Sequence, residues 1–210
     1  MSEFQFTNTW FTDTAKNIWD ILVPSANPSK ILEIGSFEGA STCYLIEKLS
    51  AQPELEIHCI DTWEGGIEHQ TDEEFDCDMQ TVEARFHANT RIAIARSPSR
   101  VKLEIHKGFS DVCLSRLLAD GKGNYFDFVY VDGSHQAPDV ICDAVLGFRL
   151  LKVGGTMVFD DYLWAEHNLA LRDPIRCPKP AVDAFTNLYC RKIELLMAPL
   201  CQLYVRKMSD

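Results

Sequence analysis

Residues 126–135, FDFVYVDGSH, and residues 154–162, GGTMVFDDY, are two short apolar runs that each stop at acid: Asp132 in the first, Asp160 and Asp161 in the second. Near-continuous apolar runs of this length are what strands buried on both faces of a parallel sheet look like. Polar residues at their ends then lie at the carboxyl edge of the sheet, where open α/β folds bind ligands. Three carboxylates at one edge make an oxygen-ligand set suited to a hard cation such as Mg²⁺. Two plainer readings stand beside this one: Asp132-Gly133 as a turn pair, and Asp160-Asp161 as a solvated turn.

Outward from these runs the chain alternates strand and helix signals. A short apolar strand, Ile31 to Ile34, is broken by Gly35-Ser36-Phe37-Glu38-Gly39; a helical pattern follows over 40–49, and a second strand, Leu55 to Ile60, ends at Asp61. Residues 62–91 lack strand character and hold the acidic run Asp72 to Asp76, before a helix with Val82 and Phe86. A strand over 101–106, a helix over 111–118, the strand 126–131, a helix over 138–151 and the strand 156–159 complete the series. The prediction is an α/β fold, a Rossmann-like doubly wound and mostly parallel sheet with right-handed crossovers.

Two further strands, 193–197 and 202–205, are joined by Ala198-Pro199-Leu200. That connection is too short for a parallel return, so a C-terminal antiparallel hairpin is expected. Residues 1–28 read as one or two helices with Trp10, Phe11, Ile18, Trp19 and Leu22 on an apolar face, serving as a contact to the sheet, a lid or a homodimer contact. Residues 29–210 form one domain.

The chain has 210 residues, 46% hydrophobic and 24% charged, enough for one continuous core. No apolar run approaches ~20 residues, so no membrane helix is expected. The opening MSEFQFTNTW carries an acid and no basic flank, unlike a secretory signal, which places the protein in the cytoplasm. A net charge of -11 disfavours a nucleic-acid partner, whose binding depends on Lys and Arg, and favours a small molecule. The eight cysteines contain no CxxC and read as small buried hydrophobes in a reducing compartment.

The loop from Glu33 to Gly39 has two glycines where a strand turns into a helix, which lets a ligand approach the backbone. It lacks the third glycine of GxGxxG, and Glu38 would repel a pyrophosphate at the helix start. A cofactor without phosphates therefore fits better than a nicotinamide dinucleotide. Asp61, ending the second strand, stands where it can take the ribose hydroxyls of an adenosine.

These residues resemble the class I S-adenosylmethionine-dependent methyltransferases, in the branch of macrocin O-methyltransferase-like proteins and, more distantly, catechol O-methyltransferase. The resemblance runs from about residue 8 onward and is strongest over LEIGSFEGAST (32–42), HCIDTWEGG (58–66) and 126–162. It implies S-adenosyl-L-methionine as cofactor, with Glu33, Gly35, Ser36 and Gly39 around its methionine portion. Asp61 would bind the ribose, while Trp63, Gly108 and Ser110 border the adenine and Asp132 closes the cofactor site. It also implies Mg²⁺ on Asp132, Asp160 and Asp161; metal-dependent relatives often carry Asn at the last of these positions. His135 stands where a catechol-type relative has its catalytic lysine, and a histidine can accept a proton at neutral pH.

The expected activity is Mg²⁺-dependent O-methylation of a small hydroxylated metabolite, with His135 as the catalytic base or, alternatively, as a loop histidine that touches substrate. The competing readings are a metal-independent small-molecule methyltransferase and a non-catalytic S-adenosylmethionine-binding module. His58 and His106 fall inside strand-like runs and are expected in the core or at an edge; His69, His167, Trp164 and the basic group Arg172, Arg176 and Lys179 are weaker candidates for the substrate pocket.

Overall fold

The computed structural model describes residues 3–66, 77–165, 173–199 and 201–210. His69, His167, Arg172 and the acidic run 72–76 lie outside the described residues. Strands β1 (Lys30–Ile34), β2 (Glu54–Asp61), β3 (Arg100–Lys107), β4 (Phe126–Val131), β5 (Leu151–Phe159), β6 (Ile193–Leu196) and β7 (Leu203–Lys207) form one sheet in the order β3-β2-β1-β4-β5-β7-β6. The first five are mutually parallel, and β7 lies antiparallel between β5 and β6. The order reverses between β1 and β4, so the crevice for a ligand opens at the carboxyl ends of those two strands.

Helices α1 (Trp10–Thr14), α2 (Lys16–Ala26), α3 (Ala40–Lys48), α4 (Met79–Arg96), α5 (Ser110–Ala119), α6 (Ala137–Leu150) and α7 (Lys179–Leu188) cover both faces. Strand side chains alternate between faces. Ile31, Phe128, Tyr130 and Val158 pack with Trp19, Leu45 and Phe86 of α2–α4, while Leu32, Val129, Met157 and Phe159 pack with Leu114, Phe148 and Phe185 of α5–α7. That double burial explains why these strands read as apolar runs rather than as alternation.

Two boundaries differ from expectation. The helix placed over 138–151 stops at Leu150, and β5 begins at Leu151, five residues before the strand expected at Thr156. The pairing shifts between Phe126 opposite Leu151 and Phe128 opposite Thr156, and Gly154 takes a φ of +87°, so an irregular strand start hid the apolar pattern. Strand β7 also runs on to Lys207, whose buried ammonium donates to Asn124 Oδ1 and to the carbonyls of Phe148 and Leu151. The cysteine reading holds only for Cys43, Cys59 and Cys113; Cys77, Cys142, Cys177 and Cys201 are half-buried and Cys190 is exposed.

The amino-terminal helices share the core of the sheet. Trp19 is wholly buried, edge-on to Phe128 and Tyr130, and its indole N–H reaches Gln202 Oε1 at 3.1 Å. Trp19→Ala would empty that space and leave Gln202 Oε1 with the Tyr204 hydroxyl alone of its two donors. A loss of about 3–5 kcal/mol is expected, read as a lowered denaturant midpoint at unchanged slope. Among the described residues no helix is long and apolar enough to cross a membrane.

Candidate active site

Counting by twos from the core residues Ile31, Cys59, Tyr130 and Val158 puts Glu33, Asp61, Asp132 and Asp160 on one face of the sheet, all at its carboxyl edge. The strand ends are laced together there. Gly35 N–H donates to Ile60 O at 2.8 Å, Asp132 N–H to Ile34 O at 2.8 Å and Asp160 N–H to Val131 O at 2.9 Å.

The expected cofactor residues cluster along the β1 and β2 ends. Glu33 is buried and accepts the hydroxyls of Ser36 (2.8 Å), Ser41 (2.5 Å) and Thr42. Burial pushes its carboxyl up, and these hydroxyls oppose that rise. Asp61 receives the backbone N–H groups of Ser36 (2.8 Å) and Phe37 (2.9 Å) on one oxygen and that of Trp63 (2.7 Å) on the other. It therefore shapes the glycine loop as well as facing the crevice. Gly108 bonds the Asp61 carbonyl through its N–H (2.9 Å), which brings the Gly108–Ser110 turn alongside.

The loop glycines are needed by the protein itself. At Gly35 a Cβ would stand 1.9 Å from the Asp132 carbonyl oxygen, and at Gly39 3.0 Å from the Phe86 ring. Trp63, expected beside adenine, is 4% exposed; it packs on Phe86 and donates its indole N–H to Phe37 O at 3.0 Å. Glu38 is buried rather than facing the helix start: it takes Arg85 Nε at 2.5 Å and the Thr7 N–H at 2.7 Å, tying α4 and the amino-terminal segment to the loop.

The second cluster sits at the β4 and β5 ends. Asp132, Ser134, His135, Asp160, Asp161 and Pro178 line a small cavity. Burial first, then the charges of Asp160 and Asp161, pushes the Asp132 carboxyl well above the ordinary range, and burial with Asp161 raises Asp160 in the same direction. Asp160 also receives the Tyr130 hydroxyl. His135 Nε2 lies 3.0 Å from Asp161 Oδ2, and its ring stacks on Trp164 with centroids 4.1 Å apart. Among the described residues His58, Glu104 and His106 form a trio whose ligand atoms all lie within 4.8 Å of one another. Lys179 turns to Asp183 (2.5 Å) and the Tyr162 hydroxyl (3.0 Å), away from a substrate role.

Sequence reasoning missed Tyr130, Arg85, Asn89 and Thr7. Tyr130 was legible as the residue two before Asp132 on the same strand face. Asn89, which bonds the Gln5 N–H and the Glu38 carbonyl, sits on a helix with no local signal of its target.

Beneath Gly133, the Asp143 carboxyl of α6 is 1% exposed. Burial pushes it up to about 7; Asp139 and Asp111 add to the rise, and the Ser110 hydroxyl opposes it. An acid raised in the folded state keeps its full stability below its unfolded value of 3.8 and loses stability as the pH climbs to about 7. Asp143→Asn should therefore stabilise the protein at pH 8, by up to about 4 kcal/mol, and much less at pH 4. Melting temperatures of both proteins across that range check this; a gap that does not widen with pH would contradict it.

Residues 32–162 match a family model described as a methyltransferase domain. No curated protein matches the chain. Similar solved structures include an O-methyltransferase from Bacillus cereus in complex with SAH, at 15% identity over 98% of this chain and 84% of that one, with a TM-score of 0.63. The O-methyltransferase TomG from Streptomyces achromogenes, involved in tomaymycin synthesis and solved with SAM, shares 17% identity over 92% of this chain and 79% of its own, TM-score 0.62. MycE, a methyltransferase of the mycinamycin pathway solved with Mg and SAH, shares 19% over 98% of this chain and 50% of its own, TM-score 0.54. At these identities the structures speak for the fold, and the family model speaks for the chemistry. The matched span runs from β1 through both aspartate motifs, so the chain belongs to the methyltransferase-domain family and is a class I S-adenosylmethionine-dependent methyltransferase.

Proposed function

We propose that the protein methylates a hydroxyl of a small hydroxylated metabolite in the cytoplasm, with Mg²⁺ held by Asp132, Asp160 and Asp161. The observation that carries this reading is the meeting of those three acids with His135 at one cavity beside the cofactor loop. The donors are all oxygen, and their burial and mutual repulsion are what a divalent cation would relieve. The O-methyltransferases of similar fold and the Mg bound to MycE support it. A net charge of -11 supports a small-molecule acceptor over a nucleic acid. Exposed Trp10 and Ile21 on the amino-terminal helices would suit a homodimer.

When bound, S-adenosylmethionine supplies an electrophilic methyl group, and Mg²⁺ would supply positive charge that makes an acceptor hydroxyl more acidic. The chain's own residues do the rest. The loop of Glu33, Gly35, Ser36 and Gly39 holds the methionine portion, Asp61 the ribose, and Trp63, Gly108 and Ser110 border the adenine. The Asp161 carboxylate can only accept, so His135 Nε2 carries its proton toward Asp161 and Nδ1 is the basic nitrogen. His135 Nδ1 is enclosed, so the ring has to turn off its stack on Trp164 to take the acceptor's proton while the cavity holds the acceptor in line.

The 3.0 Å contact between His135 and Asp161 also favours a second reading, a metal-free base dyad that uses Asp161 to orient the imidazole. Calorimetric titration with S-adenosylmethionine, S-adenosylhomocysteine and NAD, each with Mg²⁺ and with EDTA, followed by an acceptor screen, separates the two. Binding of both adenosyl compounds but not NAD, with turnover lost in EDTA, is the expected result. Turnover that survives EDTA selects the metal-free dyad, and no adenosyl binding would refute both.

A further inference from the structure

On the face of the sheet away from the aspartate edge, β2 and β3 bring two histidines and a carboxylate together. Their parallel register sets His58 opposite Glu104 and Ile60 opposite His106, so all three side chains crowd one strip of the edge strand and its neighbour. His58 Nδ1 and His106 Nε2 are 2.8 Å apart with their rings stacked, and one ligand atom from each of His58, Glu104 and His106 lies within 4.8 Å of the other two.

The far side of His58 is already fixed. Its Nε2 lies 2.8 Å from Glu56 Oε1, and the other Glu56 oxygen takes the Tyr125 hydroxyl at 2.8 Å. A carboxylate only accepts, so Nε2 carries the proton and Nδ1 turns a lone pair toward His106 and Glu104. This carboxylate–imidazole arrangement is how proteins orient a histidine that ligates a metal.

We propose that His58, Glu104 and His106 form a binding site for a borderline divalent cation of the Zn²⁺ type, which staples the edge strand β3 to β2. Imidazole nitrogens select against Mg²⁺, so this site and the aspartate cluster take different metals. Two nitrogens on a tetrahedral ion stand about 3.3 Å apart, so the histidine pair has to open by about half an ångström. His106 is half-buried on the edge strand while His58 is wholly buried, so the shift falls on the less enclosed ring. Glu104 is held meanwhile by Lys102 at 2.6 Å, an exposed pair that is easily given up. Three protein ligands leave a fourth position for water.

The test is calorimetric titration of the full chain with Zn²⁺ in excess Mg²⁺, together with the melting temperature with and without Zn²⁺. The proteins compared are wild type, His106→Gln, Glu104→Gln and Asp132→Asn. One Zn²⁺ per wild-type chain, a raised melting temperature, affinity reduced at least ~10-fold in both the His106→Gln and Glu104→Gln proteins, and unchanged binding in Asp132→Asn are expected. Both edge substitutions fall on partly exposed side chains, and circular dichroism of the metal-free variants is the control for their folding. No Zn²⁺ binding by wild type, full affinity retained in either edge variant, or affinity lost in Asp132→Asn would each overturn the site.

Discussion

Gly35→Ala is expected to destabilise the protein by more than about 4 kcal/mol, a large fraction of the stability of a domain this size. The new Cβ would lie 1.9 Å from the Asp132 carbonyl oxygen and 2.7 Å from Gly133 Cα, both backbone atoms that cannot rotate away. Relief would require β1 and β4 to part at their carboxyl ends, breaking the 2.8 Å bond from Asp132 N–H to Ile34 O. The backbone at Gly35 also has a φ of +83°, which alone costs a non-glycine residue about 1–2 kcal/mol. Gly121 separates the two effects, because its φ is +80° but a Cβ there meets nothing within 4 Å. Gly121→Ala should lose only about 1 kcal/mol in a denaturant titration. Equal losses at the two positions would show that the contact with Asp132 does not matter.

Asp132→Asn is expected to lower methyl transfer by about 10²-fold or more while leaving affinity for S-adenosylmethionine within a few-fold. Its carboxyl meets Asp160 and Asp161 across the cavity, and burial heightens their mutual repulsion. Asparagine keeps the shape and one oxygen and removes one of the repelling charges. The metal-free variant should therefore melt no lower than wild type, and higher at neutral pH. Lost turnover with undiminished stability marks a residue kept for function at some expense to the fold. Asp61→Ala gives the contrast: weakened cofactor binding, because the Ser36, Phe37 and Trp63 N–H groups lose their shared acceptor. Turnover unchanged in Asp132→Asn would remove the aspartates from the reaction.

The α/β class, the places of the parallel strands apart from the start of β5, and the acids at their ends were legible because the central strands, buried on both faces, are written as apolar runs, and the residue where a run stops marks the sheet edge. The hairpin followed from the length of one connection. Asp61, Asp132 and Asp160 were found in this way, standing at or one residue past a strand end, whereas Glu33 lies inside β1 and was singled out by the family resemblance of its loop. Lys207 was not, since a lysine inside a strand looks like the strand's end until its three acceptors are seen.

The linear pattern of this chain determined which segments are strands, which ends carry acid and which loop can approach a cofactor, because each of those is set by neighbours in the chain. Only the tertiary structure decided that Gly35 yields its side-chain space to Asp132, that Glu38 holds Arg85 and Thr7, and that Asp161 engages His135. It likewise decided that His58 meets His106 and Glu104. Each of these joins residues many positions apart through strand register or helix packing, and a one-residue change of register would turn the same side chains to the other face.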